Sequence, residues 1–592
     1  MWPALEGRSS AVDALHAALR IGRELLLTSA LVALGGLAVG CVSQEGAPSA
    51  AANGSEAAAA SATPEAQPSG RPNILIVLVD DMGFSDLGAF GGEIRTPNLD
   101  ALSQAGLRFT QFHAAPVCAP TRAELMTGLD HHRTGIGNFP ELRQDNQKDQ
   151  PGYEGYLIEE VATLAERLSD AGYSTFMSGK WHLGYDPRAN PAVRGFDRSF
   201  VLLGGGHNHF GRDPNYSAVI PNAGTVYTED GERVPTPQPF YSSDYFTRRA
   251  IEFLPAKGSG RPFFGYLALT APHYPLHAPA EDIARYAGRY DAGYEVLREE
   301  RLARMQALGL VEEGVEAHSP SEPEPWAALS PERRRIEARL METHAAMVDR
   351  IDQNMGRLID ALKERGLYEN TIILFFSDNG AEGHRLDRSV IAAEQGKRLL
   401  ASGDNRLESI GSAASYIWYG SSWAEAATAP SRLYKSFPTE GGTRVPAFLW
   451  DPGRVRSGIS GQYASVRDVL PTLLDYAGVP IEASVGGRSV RAPQGASIRP
   501  WVEDAAREPG VDGIVANGEM FGRLYARRGR MKAVLIPPPT GPGVWQLYDV
   551  VADPGEVHDL AASEPETLAA LEQQWKRYAS ENGVVLPTVP GN

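Results

Sequence analysis

Cysteine is almost missing: Cys41 and Cys118 are the only two in 592 residues. A chain of this size with no disulfide pair to spare keeps each cysteine for another reason. Positive charge is also in deficit. Lysine plus arginine total 56 against 73 for aspartate plus glutamate, a net charge of −17 that leaves no basic footprint for gripping phosphates, so nucleic acid is excluded as the expected partner. Long apolar runs are lacking as well, since the stretch Leu25 to Val39 is too short to span a bilayer comfortably. No internal repeat occurs. Hydrophobic residues at 42% and charged residues at 22% match ordinary globular usage, which argues against a disordered, collagen-like or multi-span chain. The length exceeds what a single core usually serves, so one large domain with a smaller companion is expected.

The short apolar run follows Arg20 and Arg23 and has the length of a signal-peptide core, which predicts export. It ends in Leu37-Ala38-Val39-Gly40-Cys41, which resembles the lipobox of bacterial lipoproteins, although leucine usually stands one position closer to the cysteine. That resemblance implies a lipid anchor at Cys41 and a place in the bacterial periplasm or outer membrane. The alternatives are a plain cleaved signal and a weak anchor helix. From Val42 to Gly70 the chain is Ala, Ser, Pro, Glu and Gly, too poor in large apolar groups to offset its ordering entropy, and reads as a tether. The expected division is therefore a signal over 1–41, a tether over 42–70, a main domain over 71–505 and a C-terminal subdomain over 506–592.

Within the main domain, Asn73 to Val79 is a continuous β-rich apolar run, the pattern of a strand buried on both faces, and it stops at Asp80-Asp81. Pro97 to Gln104 reads as a helix, Leu107 to His113 as a strand, and Arg122 to Thr127 as a helix stopped by Gly128. Val161, Leu164 and Leu168 recur at helical spacing before the strand Tyr173 to Ser178. Phe263 to Thr270 is another apolar strand, and the striped helix Glu337 to Glu364 feeds a strand over Thr371 to Phe376. The charged stretch Glu281 to Arg335 reads as exposed helices able to build an active-site rim. This alternation predicts an α/β fold with a large, mostly parallel sheet flanked by helices and ligands bound beyond the carboxyl ends of its strands. Short strands and the helix Glu564 to Ser580 suggest a small C-terminal α+β subdomain.

Asp80 and Asp81 follow one predicted strand and Asp378 and Asn379 another, so a parallel sheet brings all four to one rim. Three carboxylates and an amide carbonyl at one point repel unless a hard divalent cation lies among them, and Ca²⁺ or Mg²⁺ fits that chemistry. Taken alone, either pair is as well explained as a turn or helix cap. His207 and His209 have the one pair spacing that suggests zinc, and read more simply as a polar loop.

Cys118-Ala119-Pro120-Thr121-Arg122, continued by Leu125-Met126-Thr127-Gly128, resembles the Cys-x-Pro-x-Arg signature of the sulfatase family. Gly172-Tyr173-Ser174-Thr175 leading to Gly179-Lys180-Trp181-His182-Leu183-Gly184 resembles its second signature. Ala271-Pro272-His273 and Tyr434-Lys435 before Glu440-Gly441-Gly442 match the stretches that supply the remaining His and Lys. Arg467 to Leu474, and Leu547-Tyr548-Asp549 with Asp553-Pro554 and Glu556, resemble structural signatures near that family's C-terminus, and the overall pattern looks most like bacterial arylsulfatases.

The resemblance implies an alkaline-phosphatase-like fold and hydrolysis of sulfate esters. It implies that a maturation enzyme oxidises Cys118 to formylglycine, and that Asp80, Asp81, Asp378 and Asn379, with the modified Cys118, ligate one Ca²⁺. Arg122 is then expected to hold the formylglycine hydrate, Lys180 and Lys435 to bind sulfate oxygens, and Asp378 to accept the proton of the attacking hydroxyl. The resemblance further implies that His273 with Lys435 would serve the departing oxygen, and that His182 would deprotonate the second hydroxyl to expel sulfate. A phosphonate or phosphate ester hydrolase of the same superfamily is the rival enzyme, and a lipoprotein that binds sulfated glycans without turnover is the rival of another class.

Overall fold

The computed structural model describes residues 70–139, 142–212, 225–321, 324–388 and 393–589. The signal-like segment, Cys41 and the tether up to Ser69 lie outside the described residues. Those from Gly70 onward belong to one unit.

Eight consecutive buried residues, Asn73–Asp80, form strand β1. Their side chains alternate between two cores. Leu75, Val77 and Val79 enter one, while Ile74, Ile76 and Leu78 enter the other, as a strand covered on both faces requires. Four further strands run parallel to it: β2 (Ser174–Lys180), β3 (Arg198–Leu202), β4 (Phe263–Pro272) and β5 (Thr371–Ser377). Their spatial order is β5-β1-β4-β2-β3 at the centre of a ten-stranded sheet. Beyond β5 lie Ala447–Trp450, Leu107–Phe109 and Gly458–Ser460, and beyond β3 lie Tyr227–Glu229 and Glu232–Val234.

Helices cover both faces. Helix α1 (Cys118–Thr127) gives Leu125 and Met126 to one core, and α2 (Pro331–Glu364) gives Met341, Met347 and Ile351 to the other. The sequence places the start of α1 after Pro120, but the helix begins at Cys118. Proline fits its first turn because an N–H there has no intrahelical acceptor to lose. Likewise α2 starts six residues before Glu337, at a Ser330 cap whose hydroxyl accepts from the Arg333 amide.

A second sheet follows: β6 (Val515–Met520), β7 (Arg523–Arg528), β8 (Met531–Leu535) and β9 (Trp545–Asp549), antiparallel in chain order. Helix α3 (Pro565–Asn582) lays Leu571, Trp575 and Tyr578 against Leu524, Ala526, Ala533 and Leu547. The expected α/β class, mostly parallel sheet and small C-terminal sheet with its helix are all present. No helix among the described residues is long and apolar enough to cross a membrane.

Candidate active site

Four central strands end side by side. In register, Val79 of β1 pairs with Ser377 of β5, Asp80 with Pro272 of β4, and Gly179 of β2 with Ala268 of β4. The residues at or just past these ends are Asp80, Asp81, Lys180, His182, His273, Asp378 and Asn379. Helix α1 aims its N-terminus at the same point. Cys118 opens it and Arg122 lies one turn on, so both side chains share a face. The Tyr434–Phe437 segment brings in Lys435. All ten residues expected from the sequence meet here, and all are buried.

Arg122 donates from Nε and Nη2 to Asp378 Oδ2 at 3.1 and 2.6 Å, and from Nη1 to the Lys180 carbonyl at 2.8 Å. Lys180 Nζ donates to Asp80 Oδ2 at 2.7 Å. Lys435 Nζ lies 2.8 Å from Asp81 Oδ1 and 3.0 Å from Glu382 Oε2. His273 Nε2 stands 3.6 Å from Asp81 Oδ2 while its Nδ1 meets the Tyr274 carbonyl at 2.5 Å. Asn379 Nδ2 donates to Asp81 Oδ1 at 2.7 Å. Cys118 Sγ is 3.3 Å from His182 Nδ1.

His182 is held between Phe139 and Gly205. Phe139 stacks on its ring with centroids 5.2 Å apart, and Phe521, at the β6–β7 turn, meets Phe139 edge-on at 5.8 Å. A Cβ on Gly205 would come within 2.6 Å of His182 Cε1, so only glycine allows that approach.

Burial dominates the protonation of the cluster. It pushes the Cys118 thiol up to about 11, against the pull of Lys180 and Lys435. Burial, with the charges of Asp80, Glu382 and Asp378, raises Asp81 to about 8 despite Lys435. Asp378 is raised by burial and by Asp80. Burial holds His182 well below its ordinary value, as do Lys180 and Arg122, and burial with Lys435 and Lys180 does the same to His273. Both rings are therefore neutral at neutral pH. Burial acts to lower Lys435, yet Asp81 and Glu382 hold it well above the usual lysine range.

The acidic set fits a hard divalent cation. Asp80 Oδ1 and Asn379 Oδ1 are buried with no hydrogen-bond partner among the described residues, an arrangement that is costly unless a cation takes the lone pairs. Ligand atoms of Asp80, Asp81 and His273 lie within 4.8 Å of one another, as do those of Asp80, Cys118 and Asp378. Asp130, His131 and His132 cluster as closely, but His132 there is bonded to Asp130 at 2.8 Å and Glu519 at 3.1 Å, an internal ion network.

Glu382 is missing from the sequence-derived set. It sits three residues past Asn379 in an otherwise loop-like stretch, and its role depends on Lys435, far away in sequence. His207 and His209, which read as a polar loop, are buried: His207 Nε2 meets Thr270 Oγ1 at 2.8 Å, and His209 Nε2 meets the His273 carbonyl at 2.9 Å. They bond to the β4 end around His273 and, among the described residues, belong to no metal-ligating cluster.

The family model described as Sulfatase matches residues 72–479. An uncharacterised sulfatase of Schizosaccharomyces pombe is 42% identical over 87% of this chain and 94% of its own length. An arylsulfatase of Klebsiella aerogenes is 37% identical over 72% of this chain and 91% of its own. Among solved structures, Ps i-CgsB in complex with k-i-k-neocarrahexaose superposes with a TM-score of 0.60 at 26% identity, covering 86% of this chain and 93% of that one.

Proposed function

The chain belongs to the sulfatase family and is a sulfuric ester hydrolase, and on that premise we propose that it works through a formylglycine made from Cys118, with Ca²⁺ held by Asp80, Asp81, Asp378 and Asn379. The observation that carries this reading is the pair of buried oxygens, Asp80 Oδ1 and Asn379 Oδ1, that accept no hydrogen bond among the described residues although Asp80 Oδ1 stands 3.8 Å from Arg122 Nη2 and shares a cluster with Cys118 and Asp378. Formylglycine, as its hydrate, supplies two hydroxyls where the thiol offers a single group pushed up to about 11. The cation supplies charge that orients and polarises a sulfate oxygen.

The chain's own residues do the rest. Lys180 and Lys435 present fixed positive charge to the sulfate oxygens. Arg122 lies one helical turn from Cys118 and binds Asp378, so it holds the nucleophile's side chain and its proton acceptor in one frame. Asp378, raised by burial and by Asp80, is fit to accept a proton from the attacking hydroxyl. His182 is neutral with Nδ1 toward the Cys118 side chain, the state and place a general base needs for the second hydroxyl. Lys435 stays protonated beside His273 and serves the departing oxygen.

Aryl sulfates are the proposed substrate class, supported by the likeness to an arylsulfatase. The leader ending at Cys41 supports export to the periplasm or outer membrane as a lipoprotein, with a maturation enzyme met on the way. The catalytic part is taken as 71–505 and the subdomain as 506–592. Co-expression with a formylglycine-generating enzyme, then assay on an aryl sulfate with calcium, tests the reading. Turnover should vanish in Cys118→Ala and on chelation. An aldehyde verified by mass at residue 118 with no turnover of any sulfate ester, but turnover of a phosphonate ester, overturns it.

A further inference from the structure

Lys435 has two carboxylate partners, and they are not equivalent. Asp81 belongs to the oxygen set that fits a cation. A lysine anchored on Asp81 alone competes with that cation for the same lone pairs. Glu382 stands outside the set.

Its carboxylate is fixed at both oxygens. Oε2 lies 3.0 Å from Lys435 Nζ, while Oε1 accepts from the His384 amide at 2.7 Å and faces His384 Nδ1 at 3.0 Å. The His384 ring lies parallel to Phe437, 5.7 Å away and tilted by 7°, and meets Tyr434 edge-on at 5.2 Å. Gly383 lets the Tyr434 ring approach, since a Cβ there would fall 2.6 Å from it. The Lys435 amide donates to the Ala381 carbonyl at 3.0 Å. Residues 381–384 and 434–437 are therefore interlocked through backbone, rings and one ion pair.

Resting on the sulfatase reading, we propose that Glu382 is a positioning residue: it gives Lys435 a counterion that the metal does not claim, and so holds the ammonium group over the substrate when Asp81 turns to the cation. The energetic basis is twofold. A long lysine side chain loses substantial rotamer freedom when ordered, and a preformed partner lowers that cost at the moment of reaction. A buried ammonium deprived of one partner leans on the other, which here is a metal ligand.

A double-mutant cycle on the matured full chain separates this role from plain structure: wild type, Glu382→Gln, Lys435→Met and the pair. In the Lys435 background, Glu382→Gln should lower kcat on phenyl sulfate about a hundredfold and on 4-nitrophenyl sulfate about tenfold, with KM little changed, because the poorer leaving group leans harder on Lys435. With Lys435→Met in place, the same change should cost less than about twofold on either ester. Calorimetric titration with calcium chloride gives the readout that needs no turnover. Glu382→Gln should weaken calcium binding about tenfold with Lys435 present and at most about threefold without it. Glu382→Asp, which keeps the charge at a shorter reach, should fall between the two.

Equal losses on both esters, or an unchanged effect of Glu382→Gln once Lys435 is gone, overturn the proposal. If the wild type binds calcium but turns over no sulfate ester, the sulfatase reading fails instead, and the calcium cycle alone decides whether Glu382 braces Lys435.

Discussion

Gly205 contributes no functional group, and its missing Cβ is what lets the His182 ring lie where it does. Gly205→Ala should drive the ring off Cys118 by tenths of an ångström, lowering kcat about tenfold or more while the thermal midpoint barely moves. Steady-state kinetics beside a melting curve checks it, and a fall in both together would mark a packing defect. Backbone strain gathers at the same place: Asp81, His182 and Ser436 hold φ of 71°, 59° and 71°, in a region non-glycine residues rarely occupy. The polar groups of the site were readable because each stands beside a strand end or inside a motif. Gly205, Phe139 and Glu382 were not, because what they do depends on a partner brought near only by folding.

Among elements, the apolar strands read almost to the residue, since a run buried on both faces has no polar position to blur it. Less legible was what the C-terminal hairpin does for the site. Arg523 on β7 is buried, donates from Nη1 to the Ser436 carbonyl at 2.7 Å and lies 4.0 Å over the Phe437 ring. Burial brings its guanidinium down to about 10. Nothing in the local pattern of β7 points to a loop 87 residues earlier in the chain. Arg523→Met should cost about 1–3 kcal/mol of stability through the lost donor and buried charge–ring contact. It should also lower kcat about tenfold, because the Lys435 segment is then free to shift. A denaturant melt paired with kinetics checks both numbers, and a stability loss without a rate loss would confine Arg523 to packing.

Across the whole molecule, the loop past α1, packed on the large sheet, is joined to the four-stranded C-terminal sheet and its helix by an ion network that no sequence window contains. His132, just past α1, bonds to Asp130 and to Glu519 on β6, and Tyr578 of α3 donates to Asp130 Oδ2 at 2.8 Å. Burial works against the His132 charge, but Asp130 and Glu519 prevail and lift it to about 9 from 6.5. A group raised on folding lends its stabilisation fully below the unfolded value of 6.5 and loses it as pH climbs through about 9. The thermal midpoint should therefore sag between those two pH values, by an amount worth on the order of a few kcal/mol. In His132→Gln that sag should disappear, and melting curves across the window settle the matter. The fold class was legible at this scale from alternating strands and helices, whereas the joining of the sheets was not, because it rests on charges hundreds of residues apart.

The reach of Arg523 to Ser436, and of Phe521 to Phe139, also changes how damage to the gene should be read. A premature stop codon between those for Val511 and Phe521 spares the main sheet, every proposed ligand and every charged group of the site, so an allele scored by its intact motifs would pass as sound. Its product would nonetheless lack the hairpin that steadies Lys435 and backs His182, and should be inert toward sulfate esters.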